Sequence, residues 1–243
     1  MQTRQRKLFE SLRQEHCTVD GKQGDIQLAE FIREGVLPWP APDGETEAAL
    51  WILARNAVTN SDGVLYNTDR TGHKIPIKDV SEGVWQHLLT PRLVNLLFAY
   101  FQKEPVLHCI FVVQVPPFAP AQLEHRDHNA GARVAVCLVV SFDPVTTLVK
   151  RGSHVHRSTQ GLAPATTERG LLFDTHIIHA GASNPTELAL TDRVFFQFEA
   201  KLDTNNTDKL DRVHAEGGCT GDLPVLLTTL CGLNSRAHCS TSR

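Results

Sequence analysis

Residues 122–128 read Gln122-Leu123-Glu124-His125-Arg126-Asp127-His128, and the fold must be one that puts this stretch to use. In an extended backbone, residues two apart project from one face, so the His125 imidazole and the Asp127 carboxylate can converge on one ion. A third ligand has to come from elsewhere. His179 lies on a later apolar segment, and Arg193 follows it. Two histidines and one carboxylate on one side of a metal leave positions open on the other, the arrangement expected of a non-haem Fe(II) centre.

With 243 residues, of which 41% are hydrophobic and 21% charged, the chain can bury one large core. The net charge of -3 and pI near 6.4 exert no general pull toward nucleic acid or an anionic membrane. A small molecule or a protein side chain is the expected substrate. Arg4, Arg6, Lys7 and Arg13 cluster near the start, but Glu10 and Glu15 interleave with them, as on a solvated helix face. No segment has the apolar length of a membrane span, and the polar stretch Met1 to Cys17 lacks the apolar centre of a secretory signal. Six cysteines without any C-x-x-C point to reduced thiols and a cytoplasmic setting, with the nucleus also open. Cys109 and Cys137 sit in apolar runs, as small core residues do. His214 and His238 stand among the tail cysteines at spacings that do not make a zinc pattern.

The first hundred residues carry helical signals. Asp25 can cap a helix with Leu28, Phe31 and Ile32 on one face, stopped by Gly35. A second apolar stripe runs through Leu50, Leu53, Ala54, Ala57 and Val58, between Glu45 and Asn60. In a third, Thr90 caps, Pro91 takes the first position, Leu93, Leu96, Leu97, Tyr100 and Phe101 form the buried face, and Pro105 closes it. The turn-rich stretch Asn60 to Lys78 reads as a hairpin or a loop over the site. Composition then switches to short Val- and Ile-rich runs: Cys109 to Val115, Val134 to Phe142, Gly170 to His179 and Val194 to Phe198. Helices followed by strands predict an α+β fold, or a sandwich or barrel supported by helices. The expected division is 1–104 as a helical extension, 105–203 as the core and 204–243 as a tail. Within the tail, Thr204 to Asp208 reads as loop and Leu223 to Leu233 as a last helix.

Five strings now read in order: Q-L-E-H-R-D-H, R-V-A-V-C-L-V-V-S-F, K-R-G-S-H, R-G-L-L-F-D-T-H-I-I-H-A-G-A-S-N-P and D-R-V-F-F-Q-F. This order resembles the phytanoyl-CoA hydroxylase-like branch of the Fe(II)- and 2-oxoglutarate-dependent oxygenases over Val113 to Phe198. The resemblance implies a double-stranded β-helix (jelly-roll, cupin-like) core. It also implies Fe(II) held by His125, Asp127 and His179, with 2-oxoglutarate and O2 as cosubstrates and hydroxylation with release of succinate and CO2 as the outcome. Arg193 matches the arginine that takes the far carboxylate of 2-oxoglutarate, a role suited to a planar guanidinium. The wider superfamily often carries serine two residues later, where this chain has Phe195.

Strand alternation sets His176 on the face opposite His179, beside Asp174, and turns Glu124 and His128 away from the ion. The R-G-S-H turn at Arg151 to His154 is expected to support the site. Arg126 and Asn184 are candidates to touch ligand or brace a loop, and Trp39, Trp51 and Trp85 are read as core anchors. Two other readings stay open: a cupin-type metalloenzyme using His154 and His156, and a non-catalytic β-helix binding module.

Overall fold

The structure, a computed structural model, describes residues 21–66, 70–127, 134–142, 147–155, 161–165, 169–185, 187 and 191–201. They belong to one compact unit, Met1–Lys201. Cys17, His156, the tail cysteines, the segment Thr204 to Asp208 and the helix expected over Leu223 to Leu233 lie outside the described residues.

Four α-helices are described. Helix α1 (Gly21–Glu34) starts earlier than Asp25 and ends where Gly35 takes φ +72°. Strand β1 (Val36–Trp39) follows immediately. Helix α2 (Gly44–Asn60) is capped by Asp43, whose carboxylate accepts from Thr46 N, and α3 (Glu82–Leu88) by Ser81. In α4 (Pro91–Phe101) Thr90 caps, Pro91 stands in the first turn, and Gln102 ends the helix in the left-handed region, as an αL cap does.

The remaining strands are β2 (Val64–Tyr66), β3 (Arg70–Ile75), β4 (Pro105–Val115), β5 (Ala135–Ser141), β6 (Thr147–Lys150), β7 (Ala163–Pro164), β8 (Gly170–Asp174), β9 (Ile178–Gly181) and β10 (Thr191–Ala200). They form an antiparallel sheet in the order β1-β8-β5-β10-β4-β3-β2 and a smaller one in the order β7-β6-β9. The architecture is thus mixed helix and antiparallel sheet, as the composition switch predicts. The helical reading of the first hundred residues needs correction at β1, which joins the large sheet, while β2 and β3 form the hairpin that the Asn60 to Lys78 stretch allowed and extend the same sheet. The reason is topological. The Asn60 to Lys78 stretch closes as a hairpin whose second strand pairs with β4, and a short run such as Val36–Trp39 becomes a strand only because β8 lies beside it.

Alternation along the large sheet divides two cores. Leu138, Leu172, Val194, Phe196 and Phe198 pack with Phe31, Leu50, Leu93 and Leu97 from the helices. On the opposite face Cys137, Val139, Leu171 and Phe173 pack with Val149 and Ile177. The helices therefore back one face of the large sheet, and the small sheet covers part of the other. Burying such a side chain is worth roughly 1.5–3 kcal/mol, so both layers contribute to stability.

The segment Gly170 to His179 is not one strand. It leaves the large sheet at Asp174, turns through Thr175 and His176, and enters the small sheet at Ile178.

Candidate metal centre

The site is built where that crossing turn meets the segment containing His125. His125 and His179 form an isolated antiparallel bridge, with His125 N donating to His179 O at 3.0 Å and His179 N to His125 O at 2.9 Å. Two residues on, Asp127 N donates to Thr175 O at 3.2 Å. His125 and Asp127 thus lie in a bridge and a bend rather than in a regular strand, a departure from the simple i, i+2 picture. Pairing with β9 aligns them instead.

The structure brings His125, Asp127 and His179 together, with one ligand atom from each within 4.8 Å of the others. Asp127 Oδ1 lies 3.7 Å from His125 Nε2 and 3.4 Å from His179 Nε2. Each imidazole is oriented from behind: His125 Nδ1 is 2.9 Å from Leu123 O and His179 Nδ1 is 3.0 Å from Ile177 O. A carbonyl accepts only, so Nδ1 carries the proton and the Nε2 lone pair faces the carboxylate. The His179 ring also lies against Phe173, with centroids 5.0 Å apart. Burial of His179 opposes its protonation, but the hydrogen bond and charge of Asp127 outweigh this and raise its pKa above the usual imidazole value. The two imidazole nitrogens and the carboxylate oxygen suit a divalent ion set between them.

A cavity of about 650 Å³ opens from these residues and is lined along β10 by Arg193, Phe195 and Gln197. Arg193 is buried. Its Nη1 donates to Thr147 Oγ1 at 3.1 Å, while Nε and Nη2 have no hydrogen-bond partner among the described residues. Burial, with the nearby Arg70 charge, lowers its pKa to about 9. A buried cation with open donors on a cavity wall suits an incoming carboxylate. Phe195 stacks on Phe111 at 4.8 Å between centroids, and the hydroxyl bonded to Arg193 is that of Thr147.

Other expected residues take supporting positions. Arg126 lines the cavity and donates to Ser153 O at 2.9 Å, while Ser153 Oγ accepts from Ile178 N at 2.7 Å, which ties the R-G-S-H turn to the start of β9. Asn184 Nδ2 donates to Val115 O and Pro116 O, bracing the loop that leads to His125. His176 pairs with Asp174 at 3.1 Å and is half-buried. His154 Nε2 lies 3.0 Å from Ile32 O, against the end of α1, and does not line the cavity. Trp39 is buried and Trp85 packs against the helix-side core, but Trp51 is 46% exposed beneath Arg55. Cys137 is buried as expected, whereas Cys109 is half-buried and lines the cavity.

Sequence reading missed Arg70, Gln122 and Thr147. Arg70 is buried and its Nη2 donates to Pro120 O and Ala182 O, which joins the loop before His125 to the one after His179. The Gln122 side chain accepts from Gly181 N at 2.8 Å, and a Cβ on Gly181 would lie 2.7 Å from that oxygen. Only the place of Gln122 beside the H-x-D string hinted at it. Arg70 and Thr147 carried no local signal.

A scan against protein-family models finds no match, and a search of the curated proteins finds none either. Solved structures do match. EvdMO1 is 16% identical with a TM-score of 0.56 over 74% of this chain, which spans 50% of EvdMO1. AviO1 from Streptomyces viridochromogenes Tue57 is 16% identical with a TM-score of 0.55, covering 76% of this chain and 99% of that one. The non-heme alpha ketoglutarate dependent epimerase SnoN from nogalamycin biosynthesis is 14% identical with a TM-score of 0.59, covering 82% and 93%. SnoN is also solved in complex with Fe3+, alpha ketoglutarate and nogalamycin RO. The chain therefore shares the fold of a class that includes non-haem α-ketoglutarate-dependent enzymes.

Proposed function

We propose that this chain is an Fe(II)- and 2-oxoglutarate-dependent oxygenase, built on a double-stranded β-helix, that hydroxylates a small molecule or a protein side chain. The observation that carries the reading is the convergence of His125, Asp127 and His179 on one point beside the open donors of Arg193. The fold shared with SnoN supports it. The phytanoyl-CoA hydroxylase-like branch is the one its ordered strings resemble. Cys109 and Cys137, both free thiols, support a cytoplasmic setting.

His125, Asp127 and His179 would hold the metal through Nε2, a carboxylate oxygen and Nε2. Iron bound there would supply O2 activation coupled to decarboxylation of 2-oxoglutarate to succinate and CO2. Arg193 and Thr147 receive the far carboxylate of the cosubstrate, a charge-assisted contact that orients it toward the histidines. Phe111, Phe195 and Phe173 exclude water from the cavity wall.

Anaerobic titration tests the assignment. Fe(II) with 2-oxoglutarate should give a visible charge-transfer band in the native protein and none in Asp127→Ala or His179→Ala, both still folded by circular dichroism. Metal binding without the band would favour the cupin reading, absence of metal binding would favour a binding module, and succinate formation at the native rate in either variant would overturn the ligand set.

A further inference from the structure

The turn that carries the chain from β8 to β9 supplies the backing for two of the three candidate ligands. Thr175 O accepts from Asp127 N, and Ile177 O receives His179 Nδ1. Those two carbonyls point correctly only if the turn keeps its shape. A buried carboxylate maintains it: Asp174 Oδ1 accepts from His176 N at 2.7 Å and pairs with His176 Nδ1 at 3.1 Å, and Asp174 Oδ2 accepts from the Tyr100 hydroxyl. The Asp174 backbone is held as well, its N donating to Gly35 O at 2.9 Å and its O accepting from Ile177 N at 3.0 Å. Tyr100 belongs to α4 and Gly35 follows α1, so the helix layer reaches the ligand-bearing turn at Asp174, through the Tyr100 hydroxyl on its side chain and the Gly35 carbonyl on its backbone.

We propose that Asp174, held by Tyr100, is a positioning residue that sets the orientation of His179 and Asp127 toward the metal. The inference rests on the metal-centre reading above. Asp174 does not line the cavity and touches no reacting atom. Its action runs through the two carbonyls, and the expected consequence of loosening them is that a ligand pair already in the right neighbourhood loses its aim.

Co(II), added anaerobically to the full chain, is the probe because its visible bands report ligand geometry independently of turnover. Asp174→Asn keeps the size of the side chain but replaces one acceptor oxygen with a donor nitrogen. It should bind Co(II) about 10–100-fold more weakly, with altered bands, and Tyr100→Phe should show a smaller loss in the same direction. Leu50→Ala, in the helix-side core on α2, controls for stability and should keep native affinity and bands. Native affinity and bands in Asp174→Asn would overturn the proposal, as would an equal loss in Leu50→Ala. Should Asp174→Asn fail to fold, unchanged Co(II) binding in Tyr100→Phe would overturn it alone. Native protein that takes up no Co(II) would remove the metal centre itself, whereas native binding with unaffected variants removes only the role of Asp174.

Discussion

Arg193 is a buried cation on the cavity wall, and its burial, with the nearby Arg70 charge, lowers its pKa to about 9. A buried charge without a full set of partners costs stability, and an apolar side chain of similar size avoids the cost. Arg193→Met is therefore expected to raise the melting temperature of the ligand-free protein and to abolish the further rise produced by anaerobic Fe(II) with 2-oxoglutarate. The pH dependence follows from the direction of the shift. Below about 9 the guanidinium is charged in both folded and unfolded states, so the full cost is present. As pH rises through that value the folded protein loses the proton before the unfolded chain does, so stability improves and the gap to Arg193→Met narrows. Thermal scans at neutral and alkaline pH measure this. A less stable variant with an undiminished ligand response would contradict the role. The residue types of this centre were legible in sequence because imidazole, carboxylate and guanidinium announce their chemistry. Thr147 and Arg70 were not, since a hydroxyl or an arginine acquires such a role only from what the fold sets beside it.

Among elements, helices α1, α2 and α4 were readable because a helix writes its start, its stop and its buried face into contiguous residues. Thr90, Pro91 and the stripe through Phe101 are the clearest instance. Strand β6 illustrates the opposite case. Only Val149 of its four residues is buried, so no periodic signal distinguishes it from loop, and its pairing with β9 makes it a strand. Gly35 links the two kinds of element. At φ +72° it ends α1, and a Cβ there would lie 2.5 Å from His154 Nδ1 while Gly35 O holds Asp174 N. Gly35→Ala should cost about 1–3 kcal/mol through backbone strain alone, with more from the imidazole contact. Urea unfolding would measure it, and a stability equal to native would show that the α1–β1 junction can relax.

For the whole molecule, the large sheet acts as a partition with helices on one side and the cavity on the other. Adjacent residues of β10 separate the two roles: Phe196 enters the helix-side core and Phe195 lines the cavity. Phe196→Ala should cost about 3–5 kcal/mol while the folded fraction keeps its Co(II) affinity, because the candidate ligands stand on the other side of the partition. Denaturation together with Co(II) titration would decide this, and a matched fall in both would show the layers are coupled. From its sequence alone the chain determined which segments could be helix or strand, and which side chains could bind a metal or a carboxylate, because propensity, capping and donor chemistry reside in single residues and short runs. Only the tertiary structure decided that Gly170 to His179 breaks between two sheets, that β1 and the β2–β3 hairpin extend the larger one, and that the Asp174 carboxylate braces the turn behind the candidate ligands. Those outcomes depend on pairing between residues distant in the chain, and such pairing follows from the joint packing of the layers rather than from any one segment.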